Sequence, residues 1–175
     1  MTALIIVDMI HDFVDGKFGS EGAKKIIPNI RKLIQWAHDR KIPVIYLKDE
    51  HKDDDVELKV WGPHAMEGKK GSEIVRELKP EKSDIVVRKH TYSGFYGTHL
   101  ESILKELEIE DIILTGVSTN ICVQHTAADA FFRGFHITVV SDGTAAIDEK
   151  SHESALDYMK NIYGADIKKT EEIVG

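Results

Sequence analysis

Three residues that can carry out acyl-transfer chemistry stand at the ends of apolar runs. They are Asp8 after ALIIV, Lys89 after DIVVR, and Cys122 just beyond DIILTGV. Cys122 is the chain's only cysteine and lies in GVSTNICVQHTAADA (116–130), at the start of a small-residue helix. Free N–H groups and the helix dipole there favour a thiolate and can hold an oxyanion. Taken alone, Cys122 reads equally well as a small buried hydrophobe. Asp8 should be nearly buried, and a buried carboxylate must be paired or shift its pKa. Alone it also reads as a cap on the turn after its strand. Lys89 either pairs with Asp8 or reaches back to solvent. Together the three supply a nucleophile, a proton shuttle and an electrostatic partner for attack on an acyl carbon.

A second constellation lies in KDEHKDDDVELKVWGPHAMEG (48–68). Asp49 and His51 are two apart and share a face in an extended segment. Glu57 and His64 follow. Two imidazoles with one or two carboxylates suit zinc, iron or manganese. The same acids also suit a solvated loop. Phe13, Trp61, Tyr92, Phe95 and Tyr96 are candidate pocket walls. Asp142 is expected to order a turn, SDGT. His38, His99, His136 and His152 are expected at the surface, and no spacing singles out His11, His90 or His125.

These side chains need strands and helices to aim them. Apolar runs at 3–8, 43–49, 84–89, 111–117 and 137–142 show little polar alternation, as in parallel strands covered on both faces. A short edge strand is expected at 165–170. Helices are expected over 23–40, 98–107, 119–133 and 149–163. Pro28 would lie in or just before the first turn of its helix, with Thr98 and Ser118 or Thr119 as N-caps. Alternating strand and helix implies an α/β fold with a parallel sheet, whose ligands bind beyond the carboxyl ends of the strands. The long polar segment 48–71 is expected to be functional rather than a simple connection.

Composition narrows the function. The 175 residues fit one domain, 1–175, with a sizeable core. A net charge of −7 with scattered basic residues argues against nucleic acid as a partner. MTALIIVDMIHDF has no basic leader and its apolar run is broken by Asp8, so neither a signal peptide nor a membrane span is expected. A lone cysteine excludes an intramolecular disulfide, and the expected compartment is the cytoplasm. Abundant Glu and Lys with few Asn and Gln lean towards a thermophile.

ALIIVDMIHDF, DEH, WGPHAMEG, KHTYSGFYGTHL, GVSTNICVQHTAADAFFRGF and VVSDGTAA occur in this order across nearly the whole chain. In them the chain resembles the isochorismatase-like cysteine hydrolases, most closely the nicotinamidases. The resemblance implies a three-layer α/β/α fold with a mostly parallel sheet of about six strands. It implies Asp8, Lys89 and Cys122 as catalytic residues, with the N–H groups of Ser118 and Cys122 as oxyanion hole, aimed by a cis peptide at Val117–Ser118. It implies Asp49, His51, His64 and, as an extra acidic ligand, Glu57 around one divalent metal ion, zinc before iron or manganese. Phe13, Trp61 and Tyr92 would sandwich a flat ring. The implied reaction is deamidation of nicotinamide to nicotinate and ammonia through a cysteine thioester, and a homo-oligomer is the implied assembly. The alternative substrates are other small amides, N-carbamoyl or ureido compounds. Glu50 stands where the usual loop has an aromatic, and Lys69 where many relatives have threonine, which bears on substrate more than on chemistry. A non-enzymatic redox or metal-binding protein is the reading from a different class. A phosphoacceptor receiver domain also places Asp and Lys at strand ends, but it expects an aspartate after the third strand, where this chain has Lys89.

Overall fold

The computed structural model describes residues 1–175. Its strands, in chain order, are β1 (Thr2–Val7), β2 (Val44–Asp49), β3 (Ile85–Lys89), β4 (Asp111–Val117), β5 (His136–Ala145) and β6 (Asp166–Lys168). They form one sheet in the order β3-β2-β1-β4-β5-β6, and every pairing is parallel. The order reverses between β1 and β4. A crevice opens there beyond the carboxyl ends, because the connections leave the two strands towards opposite sides.

Alternation along β1 sends Ala3, Ile5 and Val7 to one face and Leu4 and Ile6 to the other. The helices are α1 (His11–Val14), α2 (Glu21–Lys25), α3 (Ile27–Asp39), α4 (Leu58–Trp61), α5 (Leu100–Glu106), α6 (Gln124–Phe132), α7 (Glu149–Tyr163) and α8 (Thr170–Val174). The first face packs Leu100 and Leu104 of α5, Ala127 and Ala130 of α6, and Ala155, Leu156 and Met159 of α7. The second packs Ile30, Leu33 and Ala37 of α3, with Ile173 and Val174 of α8 at its edge. Two covered faces explain the continuous apolar runs of β1, β2 and β4, whereas β3, expected to be covered likewise, lies at the sheet edge and alternates, with Val86 and Arg88 exposed.

Several elements differ from the sequence expectation. The helix expected over 23–40 is two helices, α2 and α3, because Pro28 has no N–H to carry the ladder across the junction. Ser20 caps the first of them, accepting from Ala23 N at 3.0 Å. The edge strand spans Asp166–Lys168, shorter than 165–170. The fifth strand runs past residue 142 to Ala145, with a register shift opposite Leu114–Gly116. SDGT is therefore irregular strand, not a turn. Asp142 Oδ1 instead accepts from Thr170 N and Oγ1, both at 2.8 Å, and holds the start of α8. The helix expected from 119 begins as a π turn, Thr119–Val123, and no side chain caps it. The helix expected from 98 begins at Leu100, and Thr98 Oγ1 accepts from Leu100 N at 3.2 Å. No helix is long and apolar enough to cross a membrane.

Gly116 shows how tightly β1 and β4 meet. It lies opposite Val7 with φ of 103°, and a Cβ there would fall 2.0 Å from the Val7 carbonyl oxygen. Neither strand can withdraw without disturbing the crevice. Gly116→Ala is expected to cost about 3 kcal/mol or more in urea unfolding, at the high end for overpacking. A loss below about 1 kcal/mol would show that the strands yield.

Candidate active site

The strand ends converge as the topology requires. Asp8, the residue after β1, has a left-handed backbone (φ 50°) and is fully buried. Lys89 ends β3 and Asp49 ends β2, opposite each other in register, and both are fully buried. Lys89 Nζ lies 2.8 Å from Asp8 Oδ2 and 2.5 Å from Asp49 Oδ1. It also donates to Thr91 O at 3.0 Å and lies 3.6 Å from Cys122 Sγ. Asp8 Oδ1 accepts from Asp49 N at 2.8 Å. Asp8, Lys89 and Cys122, far apart in sequence, thus meet at one point.

The charges set one another. Burial alone would discharge Lys89, but Asp49 and Asp8 outweigh it and hold the ammonium well above its ordinary pKa. Burial pushes the Asp8 carboxyl up to about 6, with Asp49 adding to the rise and Lys89 opposing it. Burial would also raise Asp49, but Lys89 and the nearby His51 imidazole overcome it, and Asp49 lies below the usual carboxylate range. Burial raises the Cys122 thiol well above its ordinary value. Lys89 pulls it down, but Asp8 and Asp49 add to the rise. The helix-start position favours a thiolate, but burial and the two carboxylates outweigh it: the thiol keeps its proton and needs a base.

Cys122 lies in the π turn that follows β4. The Val117–Ser118 peptide is cis. Ser118 O accepts from Ile121 N at 3.0 Å and from Val123 N at 3.2 Å, whereas the Ser118 N–H donates to no backbone carbonyl. That N–H is available to a ligand in the cavity that Ser118 and Cys122 line.

Beside this centre, Asp49, His51, Glu57 and His64 are all buried, and one ligand atom from each lies within 4.8 Å of the others. His51 Nε2 is 3.4 Å from Asp49 Oδ2 and 3.7 Å from Glu57 Oε2. These three atoms are buried without a hydrogen-bond partner. The other imidazole nitrogens are engaged: His51 Nδ1 with Asp55 Oδ2 at 2.9 Å, and His64 Nδ1 with Gly62 O at 2.8 Å. In a neutral ring each bond leaves a lone pair on Nε2, the arrangement found around metal-bound histidines. Orphaned atoms of two carboxylates and the His51 imidazole, with His64 Nε2 4.0 Å from Glu57 Oε1, fit a divalent cation. The chain clamps the set in place. His51 N donates to Ala65 O at 2.8 Å, Glu67 N to His51 O at 2.9 Å, and Ala65 N to Asp12 Oδ2 at 2.7 Å.

A cavity of about 240 Å³ lies over both centres. Phe13, Trp61 and Tyr92 line it as expected, and Trp61 Nε1 donates to Tyr92 Oη at 3.0 Å. Phe18 joins them, edge-on to Trp61 with centroids 5.8 Å apart. No lysine or arginine lines the cavity. Asn120 does, and its Oδ1 is buried without a partner. Two expected wall residues lie elsewhere. Phe95 is in the core against Phe135, and Tyr96 is 73% exposed.

Sequence reasoning missed Asp12, Asp55, Phe18 and Asn120. Asp55 is the last of three successive aspartates, and spacing cannot say which of them turns inward. His152 was expected at the surface but is buried between Thr119 and Ser141. Its place beside Ala155, Leu156 and Met159 on the buried face of α7 was the available signal.

The family model described as "Isochorismatase domain" matches residues 2–172. The chain is similar to a solved N-carbamoylsarcosine amidase from Thermoplasma acidophilum, with 42% identity, TM-score 0.94 and 99% of each chain covered. It is 33% identical to Nicotinamidase 3 of Arabidopsis thaliana, over 89% of this chain and 79% of that protein. It is also similar to a pyrazinamidase of Pyrococcus horikoshii solved in complex with zinc, with 29% identity, TM-score 0.88 and coverage of 96% and 98%.

Two measurements check the geometry. Alkylation of Cys122 by iodoacetamide is expected to keep accelerating with pH beyond the ordinary thiol range, because the resting thiol is protonated. A rate already on its plateau at neutral pH would contradict this. Asp55→Asn is expected to weaken zinc binding about 10–100-fold in competition with a chelator, since it removes the carboxylate that orients His51. Unchanged affinity would show that Asp55 has no such role.

Proposed function

Since the chain belongs to the isochorismatase family, we propose that it is a metal-dependent cysteine amidohydrolase that converts nicotinamide to nicotinate and ammonia. The observation that carries the substrate reading is the cavity. It is walled by Phe13, Phe18, Trp61 and Tyr92, has no lysine or arginine, and opens onto Cys122 at one side and His64 and Glu57 at another. Such walls suit a flat, uncharged ring bearing an amide.

Asp8 takes the proton of the Cys122 thiol, which burial keeps protonated at rest. The sulfur attacks the carboxamide carbon, and the carbonyl electron pair moves to oxygen. The N–H groups of Ser118 and Cys122 receive that oxyanion, a term commonly worth about 10²–10³-fold per donor. Asp8 returns the proton to the departing nitrogen, releasing ammonia and leaving a thioester. Water, deprotonated by Asp8, then cleaves the thioester and restores the thiol. Lys89 stays charged throughout and keeps Asp8 in reach of sulfur. Asp49, His51, Glu57 and His64 would hold a divalent cation, with zinc the first choice, and the bound cation would supply Lewis acidity beside the ring.

An N-carbamoyl substrate is the second reading, favoured by the 42% identity to the Thermoplasma acidophilum amidase. N-carbamoylsarcosine would place a carboxylate in a cavity that no lysine or arginine lines.

The test is ammonia release from nicotinamide and from N-carbamoylsarcosine, side by side, with zinc-loaded protein. Nicotinamide is expected to have the higher kcat/KM, and Cys122→Ala to lose about 10³-fold or more. Faster turnover of the carbamoyl compound would transfer the assignment to it. No turnover of either, with the zinc site filled, would contradict both substrate readings.

A further inference from the structure

Thr119 and His152 form a buried pair that the mechanism above does not use. Thr119 is fully buried, and its Oγ1 lies 2.7 Å from His152 Nδ1. His152 is 7% exposed, and its Nε2 lies 3.0 Å from Ser141 O. A carbonyl oxygen can only accept, so Nε2 carries the proton. In the neutral ring Nδ1 is then the acceptor, and the Thr119 hydroxyl donates to it. The chain Thr119–His152–Ser141 is directional and leaves no ring nitrogen idle. It ties the π turn to α7 and β5.

Thr119 directly follows Ser118, whose N–H donates to no backbone carbonyl, and begins the turn that carries Cys122. The turn has no side-chain cap of its own. An uncapped turn bearing the reacting groups needs an outside anchor, because misplacement by about 1 Å can cost 10²-fold in rate. We propose that Thr119 and His152 are positioning residues that fix the Ser118–Cys122 turn so that its N–H groups meet the oxyanion. The proposal rests on Cys122 being the nucleophile, not on which amide is the substrate.

The test uses pyridine-3-carbaldehyde. Its carbonyl carbon takes the Cys122 sulfur, the thiol proton passes to Asp8, and the carbonyl electron pair moves to the oxygen now facing the turn. The thiohemiacetal is read by NMR with the carbonyl carbon labelled, so no turnover is required. Thr119→Val is expected to weaken this adduct on the order of 10–100-fold. It should leave alkylation by iodoacetamide unchanged, since that reaction builds no oxyanion. Thr119→Ser, which keeps the hydroxyl, should restore the adduct. His152→Asn presents an acceptor near the place of Nδ1, whereas His152→Gln presents only the donor near the place of Nε2, so the Asn variant should hold the adduct better. Equal adduct affinity in Thr119→Val and wild type would overturn the proposal. So would a Gln variant as good as the Asn variant, or no adduct in the wild type. A wild type that forms the adduct but does not deamidate nicotinamide would sink the substrate assignment alone.

Discussion

One buried ammonium holds this site together. Lys89 is fully enclosed and lies between two fully buried carboxylates, Asp8 and Asp49. Each charge taken out of water costs several kcal/mol, and only close, well-partnered geometry compensates for it. That requirement fixes the ends of β1, β2 and β3 relative to one another. It also fixes the working chemistry. With Lys89 permanently charged, Asp8 can ionise in an apolar setting, and the thiol beside it has a base within reach. Asp49 belongs to both halves of the site, with Oδ1 on Lys89 and Oδ2 among the orphaned acceptors next to His51. Loss of the lysine would therefore be felt at Asp8 and Cys122 and in the Asp49–His51 cluster together.

The sheet order makes the arrangement possible. With β1 and β4 adjacent and their connections leaving to opposite sides, the residues after those strands share one crevice. Asp8 follows β1 and the Cys122 turn follows β4. Gly116 allows the two strands to approach closely, and the irregular end of β5 brings Ala145 and Ala146 to the cavity wall. Aromatic side chains from 13–18 and 61–92 close the other sides. The scaffold supplies the convergence, and the long segment between β2 and β3 supplies the metal-type ligands.

Much of this was legible in the sequence because it follows from short-range pattern. Continuous Ile/Val runs gave the strands, their polar last residues gave the candidate site, and the spacing of Asp49, His51, Glu57 and His64 marked a ligand set. What was not legible depends on direction or on distant packing. Nothing in DDD says that Asp55 turns inward to His51. Nothing in YSGFYG says that Phe95 enters the core while Tyr96 points away. SDGT has turn composition, yet sheet pairing with β4 overrides it. The resting state of Cys122 was not legible, because position at a helix start favours a thiolate whereas burial and two carboxylates brought in from distant strands oppose it. His152 is different. It falls on the buried stripe of α7, so helical periodicity could have placed it in the interior, yet it was read as a surface residue.

Lys89 is the counter-charge on which the buried carboxylates depend. The direct test is urea unfolding of Lys89→Met, which keeps the length of the side chain and removes the charge. Breaking a buried pair by removing one partner is expected to cost about 3–5 kcal/mol, and adding Asp8→Asn to that background should recover part of the loss. A Lys89→Met protein as stable as the wild type, or one further destabilised by Asp8→Asn, would contradict the account.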